Sequence, residues 1–145
     1  MKRVYSVLLL PLLIFLLFAM PATASDWVEY GKSDSGDIYA YHKASMKHRT
    51  EDIVQLWIKW VFSDEGRKNY IQRLEKNGES SEGYEKLSHV LSLVEVDRKK
   101  PKFRILYSTE YDKADNVLFR GLHDAPWKDI LSDSMEENLR KKVIK

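Results

Sequence analysis

Hydrophobic positions along the chain change period several times, and each change marks an element. Residues 53–62, Ile53-Val54-Gln55-Leu56-Trp57-Ile58-Lys59-Trp60-Val61-Phe62, give the clearest case. Val54, Leu56, Ile58, Trp60 and Phe62 fall on one side at period two, while Gln55 and Lys59 interrupt the other side. β-Branched and aromatic residues dominate, which suits a pleated surface. The spacing predicts a strand with one core face, Trp60 pointing inward and Trp57 pointing away. A helix would scatter the same residues around its circumference.

The other blocks follow the same logic. Trp27-Val28-Glu29-Tyr30 alternates briefly, and Ser33 to Asp37 has turn chemistry with Gly36 available for a positive φ. Residues 38–46 are rich in strand formers, and residues 47–52 read as a polar loop. Ser63 followed by Asp64 and Glu65 is a helix start, with Tyr70, Ile71 and Leu74 as its narrow stripe and Gly78 at its end. Residues 84–97 return to strand, with Val90, Val94 and Val96 on one side and Leu87, Leu91 and Leu93 on the other. Residues 102–111 place Phe103, Ile105, Tyr107 and Tyr111 on one face, and residues 117–122 form a last strand. Short connections make the two final strand pairs hairpins. Ser134-Met135-Glu136-Glu137 fits a capping box, and Met135, Leu139 and Val143 share one face of the helix it opens. The whole predicts an α+β fold: a single antiparallel β-sheet of about five to six strands with one or two packed helices, including a C-terminal helix.

The opening segment changes the reading of the charge. Lys2 and Arg3 precede an apolar run over residues 4–20, and Pro21-Ala22-Thr23-Ala24 supplies small residues in an A-x-A pattern. Residues 1–24 therefore read as a secretory signal peptide cut between Ala24 and Ser25, leaving residues 25–145 as one domain. The competing reading is an uncleaved anchor, but the run is at the lower limit for spanning a bilayer and Pro11 interrupts it. Two of the 24 lysines and arginines lie in this segment and none of the 22 acids does, so the remainder is neutral. That balance gives no reason to expect nucleic acid. No cysteine is present, which excludes disulfides, thiol catalysis and thiolate metal sites. It also excludes lipidation at the cut. The mature chain is expected outside the cytoplasm, with no stable membrane insertion after signal removal.

A Trp at the start of the mature chain, the strands IYAYHKASM and VQLWIKWVFS, LSLVEVD followed by KFRIL, the YDKADNVL hairpin and APWKDILSDSMEENLRKKV occur in an order that resembles the surface-adhesin protein E family. Its more specific parts are Trp127 with Ile130 and Ser134, and Val94-Glu95-Val96-Asp97. The resemblance covers nearly all of the mature chain and implies the periplasm or the cell surface of a Gram-negative bacterium as its location. It implies an antiparallel sheet with helical packing, and for the family's namesake a cell-surface site, binding of host matrix and serum proteins, and dimerisation. Family members often carry a cysteine pair where this chain has Arg98 and Ile144. Without that pair the C-terminal helix is expected to be held by Met135, Leu139 and Val143 alone.

Chemistry-bearing constellations are sparse. His42, His48, His89 and His123 show no ligand spacing; His42 and His89 could meet across a sheet, but ordinary strand-face histidines are the preferred reading. Glu110, Asp112 and Asp115 read as a solvated hairpin tip. Arg98-Lys99-Lys100 with Lys102 and Arg104 reads as a solvated edge. The candidate partner site is aromatic and basic. Tyr39, Tyr41 and Lys43 share one side of their strand, and Trp57 and Lys59 share the mixed side of theirs. If the two sides coincide and lie open they form a patch of the kind enriched in interfaces; if a helix covers that face, Trp57 is core. The expectation is an exported, non-enzymatic binding protein engaging a protein or cell-envelope partner, with no cofactor, no metal and no catalytic residue. A small ligand carrier or enzyme would need a concave pocket with convergent polar groups, and the residue pattern marks none. A periplasmic structural homodimer is the third reading.

Overall fold

The computed structural model describes residues 26–123 and 125–144, so the expected signal peptide lies outside the described residues. The elements run β1 (Trp27–Lys32), β2 (Ile38–His42), β3 (Lys47–His48), β4 (Ile53–Val61), α1 (Asp64–Lys76), β5 (Leu87–Asp97), β6 (Lys102–Asp112), β7 (Val117–Leu122), β8 (Lys128–Asp129) and α2 (Met135–Val143). One antiparallel sheet has the order β1-β2-β4-β5-β6-β7, with β3 added beside β4 and β8 beside β6. The fold is α+β with a C-terminal helix, as the hydrophobic pattern predicts. The eight-stranded sheet is larger than expected because two two-residue strands pair beside β4 and β6 in addition to the six in the main order.

Local chemistry explains where elements stop. β2 ends at His42 rather than running on to residue 46. The Ser45 hydroxyl donates to the His42 carbonyl at 2.7 Å, closing a short 3₁₀ turn over Lys43–Ser45. Helix α1 begins at Ser63, whose Oγ accepts from the Gly66 amide at 2.8 Å. Buried Asp37 accepts from the Ser63 amide at 2.8 Å, tying the start of β2 to the start of α1. A Cβ on Gly66 would collide with the Asp37 carboxylate, so only glycine allows this approach. Helix α2 is capped by Ser134, which accepts from the Glu137 amide at 3.1 Å. Glu137 reaches one residue further back than in the expected box and accepts from the Asp133 amide at 2.8 Å.

Both helices pack on the face carrying Val54, Leu56, Ile58 and Trp60. α2 sets Leu139 and Val143 against Tyr30, Val54, Leu56, Val94, Val96 and Phe103. α1 sets Tyr70 against a smaller cluster of Phe62, Leu87 and Val90. Leu87 does not share the outer face of Leu91 and Leu93: a register shift between Leu87 and His89 turns it into this second cluster. α2 is also held by more than its apolar stripe. The Arg140 guanidinium donates to the carbonyls of Asp97 at 3.1 Å and Arg98 at 2.8 Å, fastening the helix to the end of β5.

Candidate functional site

The register of β6 decides which side chains reach the space between the two helices. Val96 pairs with Phe103 and Val94 with Ile105, but Leu93 pairs with Tyr107, so β6 carries one extra residue, Leu106. Side chains alternate with period two, and one inserted residue inverts every later position. Phe103 and Ile105 face the helices; beyond the bulge Ser108 and Glu110 replace Tyr107 and Tyr111 on that side. Cross-strand pairing fixes this, since Ile58, Ser92 and Ser108 form one row and Trp60, Val90 and Glu110 the next.

The two helices cover the two clusters and leave a cavity of about 480 Å³ between them. Its floor is the sheet at Ile58, Ser92, Ile105 and Ser108; Tyr70 and Arg73 of α1 line one side and Met135, Glu136 and Leu139 of α2 the other. The walls are mostly aromatic and aliphatic. Tyr39 stacks on Trp60 with centroids 5.5 Å apart, and Tyr70 meets Trp60 edge-on at 5.6 Å. Exposed Arg73 lies over the Tyr70 ring at 4.7 Å, on the rim. The volume falls in the range of small-molecule sites, roughly 300–1,000 Å³.

A few polar groups converge on this space. Glu110 is only 7% exposed. Its Oε1 accepts from the Tyr70 hydroxyl at 2.7 Å, while Oε2 meets no donor. The Tyr84 hydroxyl approaches the same carboxylate, though only the Tyr70 contact has the geometry of a full hydrogen bond. Among the described residues, two buried side-chain polar atoms lack a partner, Trp60 Nε1 and Glu110 Oε2, and both belong to residues lining the cavity. The Ser92 and Ser108 hydroxyls satisfy each other at 2.8 Å, so neither is set up as a nucleophile by a neighbouring base. Burial, and then the Glu110 carboxylate, hold the Tyr70 and Tyr84 phenols above their ordinary range. Tyr39 is pushed up to about 12 by burial and by the carboxylates of Asp37 and Glu136.

The expected aromatic–basic patch is divided. Tyr39 pairs with Trp60 and Tyr41 with Ile58, which puts both tyrosines on the helix-covered face: Tyr39 on the cavity wall, Tyr41 in the core. Lys43 is exposed on the 3₁₀ turn that ends β2. Trp57 and Lys59 occupy the opposite face, which neither helix covers. There Trp57, Leu93, Tyr107 and Leu122 form a row across four strands, Leu122 being 88% exposed. Trp57 meets Tyr107 edge-on at 6.2 Å, and Lys59 Nζ sits 4.4 Å from the Trp27 ring centre. The five residues cannot act as one surface because strand parity separates them.

Other expectations are resolved by the same register. Glu110 is not at a solvated hairpin tip; Asp112 is, accepting from the Ala114 and Asn116 amides at 2.8 and 2.9 Å. His42 and His89 do not meet, since four residues of register separate them along the sheet. Among the described residues no group of three histidines or acids is placed to hold a metal, and no helix is long and apolar enough to cross a membrane. The basic run is largely paired: Arg104 with buried Glu95 at 2.7 Å, Lys102 with Asp129 at 3.5 Å and Lys99 with Asp52 at 2.9 Å. Arg104 also lies over Trp127 at 4.7 Å. The segments that carry the family resemblance therefore sit in structural roles: Glu95 and Trp127 on either side of Arg104, Ile130 against the core, and Ser134 capping α2. Sequence reasoning missed Glu110, Ser92 and Ser108. Ser92 interrupts the otherwise apolar row Val90, Val94, Val96 and was a legible signal; Glu110 was hidden by the bulge. In comparisons with protein-family models, curated proteins and solved structures, no match to this chain is found.

Proposed function

We propose that this chain is an exported binding domain that takes a small, largely apolar molecule into the cavity between its helices. One observation carries the reading: a buried carboxylate oxygen and a buried indole N–H, both without protein partners, belong to residues that line the same apolar cavity. An unsatisfied buried polar group costs on the order of 1–3 kcal/mol, and more when charged. Folded chains seldom keep such groups except where something else completes them. Binding fits better than turnover, because the serine hydroxyls are spent on each other.

The test is titration of the purified protein with the neutral fluorophore N-phenyl-1-naphthylamine, followed by fluorescence and by backbone NMR. Saturable binding is expected, with shifts centred on Ser92, Ser108 and Glu110. Ile105→Trp, which fills the cavity, is expected to weaken binding at least tenfold while the protein stays folded. Absence of saturable binding would remove the proposal.

A second reading is favoured by the uncovered row of Trp57, Leu93, Tyr107 and Leu122, an apolar strip suited to a protein or envelope partner, as the family resemblance implies. NMR shifts confined to that row on adding a partner, and abolished by Trp57→Ala, would favour it over the cavity.

A further inference from the structure

We infer that the cavity selects a cationic amphiphile: a ligand with an aliphatic or aryl body and one protonated amine, the ammonium pairing with Glu110. This rests on the cavity reading above and adds the identity of the head group.

Glu110 makes no ion pair among the described residues. One oxygen is held by Tyr70, which fixes the carboxylate's orientation; the other is buried and meets no donor at full hydrogen-bond geometry, with the Tyr84 hydroxyl beside the same carboxylate. Arg73, on the cavity wall, is engaged with the Tyr70 side chain and makes no ion pair with the carboxylate. Glu110 is therefore a buried acceptor lacking a positive partner, and such a group is strongly penalised until one arrives.

The opposite sign is disfavoured. A carboxylate head would meet Glu110 inside and Glu136 on the α2 wall, while the lining's Arg73 and His123 are both exposed. A neutral alcohol can donate to Oε2 but leaves the charge unpaired. The apolar body of the ligand lies over Ile58, Ile105 and Leu139.

Decylamine, 1-decanol and decanoic acid share one body and differ only in head group, so they are the probes, each below its micelle concentration. Isothermal titration of the protein at neutral pH is expected to show the amine binding at least tenfold tighter than the alcohol, and the acid weakest. Glu110→Gln preserves the side-chain shape and the Tyr70 contact, and is expected to bring the amine down to the alcohol's level while the alcohol changes little. Acid binding as tight as amine, or amine binding unchanged in Glu110→Gln, overturns the inference. If that variant does not fold, the head-group order in the wild-type protein decides alone. Binding of decanol with no preference for the amine refutes the head-group assignment and leaves the cavity reading standing; no binding of any probe refutes both.

Discussion

At the residue scale, the phenols on and beside the cavity respond to burial and to nearby carboxylates. Tyr30, Tyr39, Tyr70 and Tyr84 are all raised above the ordinary tyrosine value of 10.0, by burial first and then by carboxylates: Glu136 for Tyr30, Asp37 and Glu136 for Tyr39, and Glu110 for Tyr70 and Tyr84. In the unfolded chain these groups ionise near 10.0, whereas in the folded protein they keep their protons. Between the two values the folded state binds more protons, so this contribution to stability is complete below pH 10 and is lost as pH rises. An ultraviolet titration is expected to show a late class of tyrosines ionising well above the rest. Glu110→Gln should bring Tyr70 and Tyr84 earlier without moving Tyr30. A single transition for all tyrosines near pH 10 would contradict the buried environment assigned to them.

At the scale of elements, two devices shape the site: the bulge in β6 and the fastening of α2. The extra residue Leu106 is what turns Ser108 and Glu110 toward the helices, so an apolar strand acquires polar groups on its covered side only past one point. α2 forms the opposite wall, and its position depends on Leu139 and Val143 in the core and on Arg140 bonded to two carbonyls at the end of β5. Hydrogen bonds from a charged donor contribute about 1.5–3 kcal/mol each, and alanine also leaves the acceptors unserved. Arg140→Ala is expected to destabilise the protein by about 2 kcal/mol and to raise amide exchange throughout α2 before the sheet is affected. Arg140→Lys, a single point donor, should recover only part of this. Uniform loss of protection across α2 and the sheet would show that the helix is not separately fastened.

At the scale of the molecule, stability depends on pH through groups on the sheet, in a hairpin turn and on the C-terminal helix. His89 on β5 is lowered below its usual value of 6.5 by partial burial first and then by Lys59, with Asp115 opposing. Its ring stacks on Tyr111 with centroids 5.0 Å apart and faces Ser88. A lowered histidine means the unfolded chain takes up the proton first, so its contribution is present above pH 6.5 and is lost as pH falls below it. Asp112 is lowered chiefly by the side chain and backbone of Asn116, and Glu137 by the Asp133 amide and Lys141. These two lose their contribution at still lower pH, below their ordinary carboxylate values. The melting temperature is therefore expected to fall in two stages on acidification, the first beginning near pH 6.5. His89→Gln should flatten the first stage and leave the second. A wild-type melting temperature constant from pH 7 to 5 would count against the histidine assignment.

Period and turn chemistry were enough to determine the six longer strands, both helix starts, the inward Trp60 and the outward Trp57, because each depends on neighbours within a few residues. The covered side of residues 53–62 was legible for the same reason: five apolar positions in a period-two row have only one economical place to go. The cavity was not legible. It requires the bulge at Leu106, which no local pattern marks, and it requires two helices distant in sequence to land on the same face with a gap between them. The division of Tyr39 and Tyr41 from Trp57 and Lys59 is likewise a matter of register between β2 and β4, set by hydrogen bonds across strands. Parity within a strand is written in the chain; parity between strands is decided only when they pair.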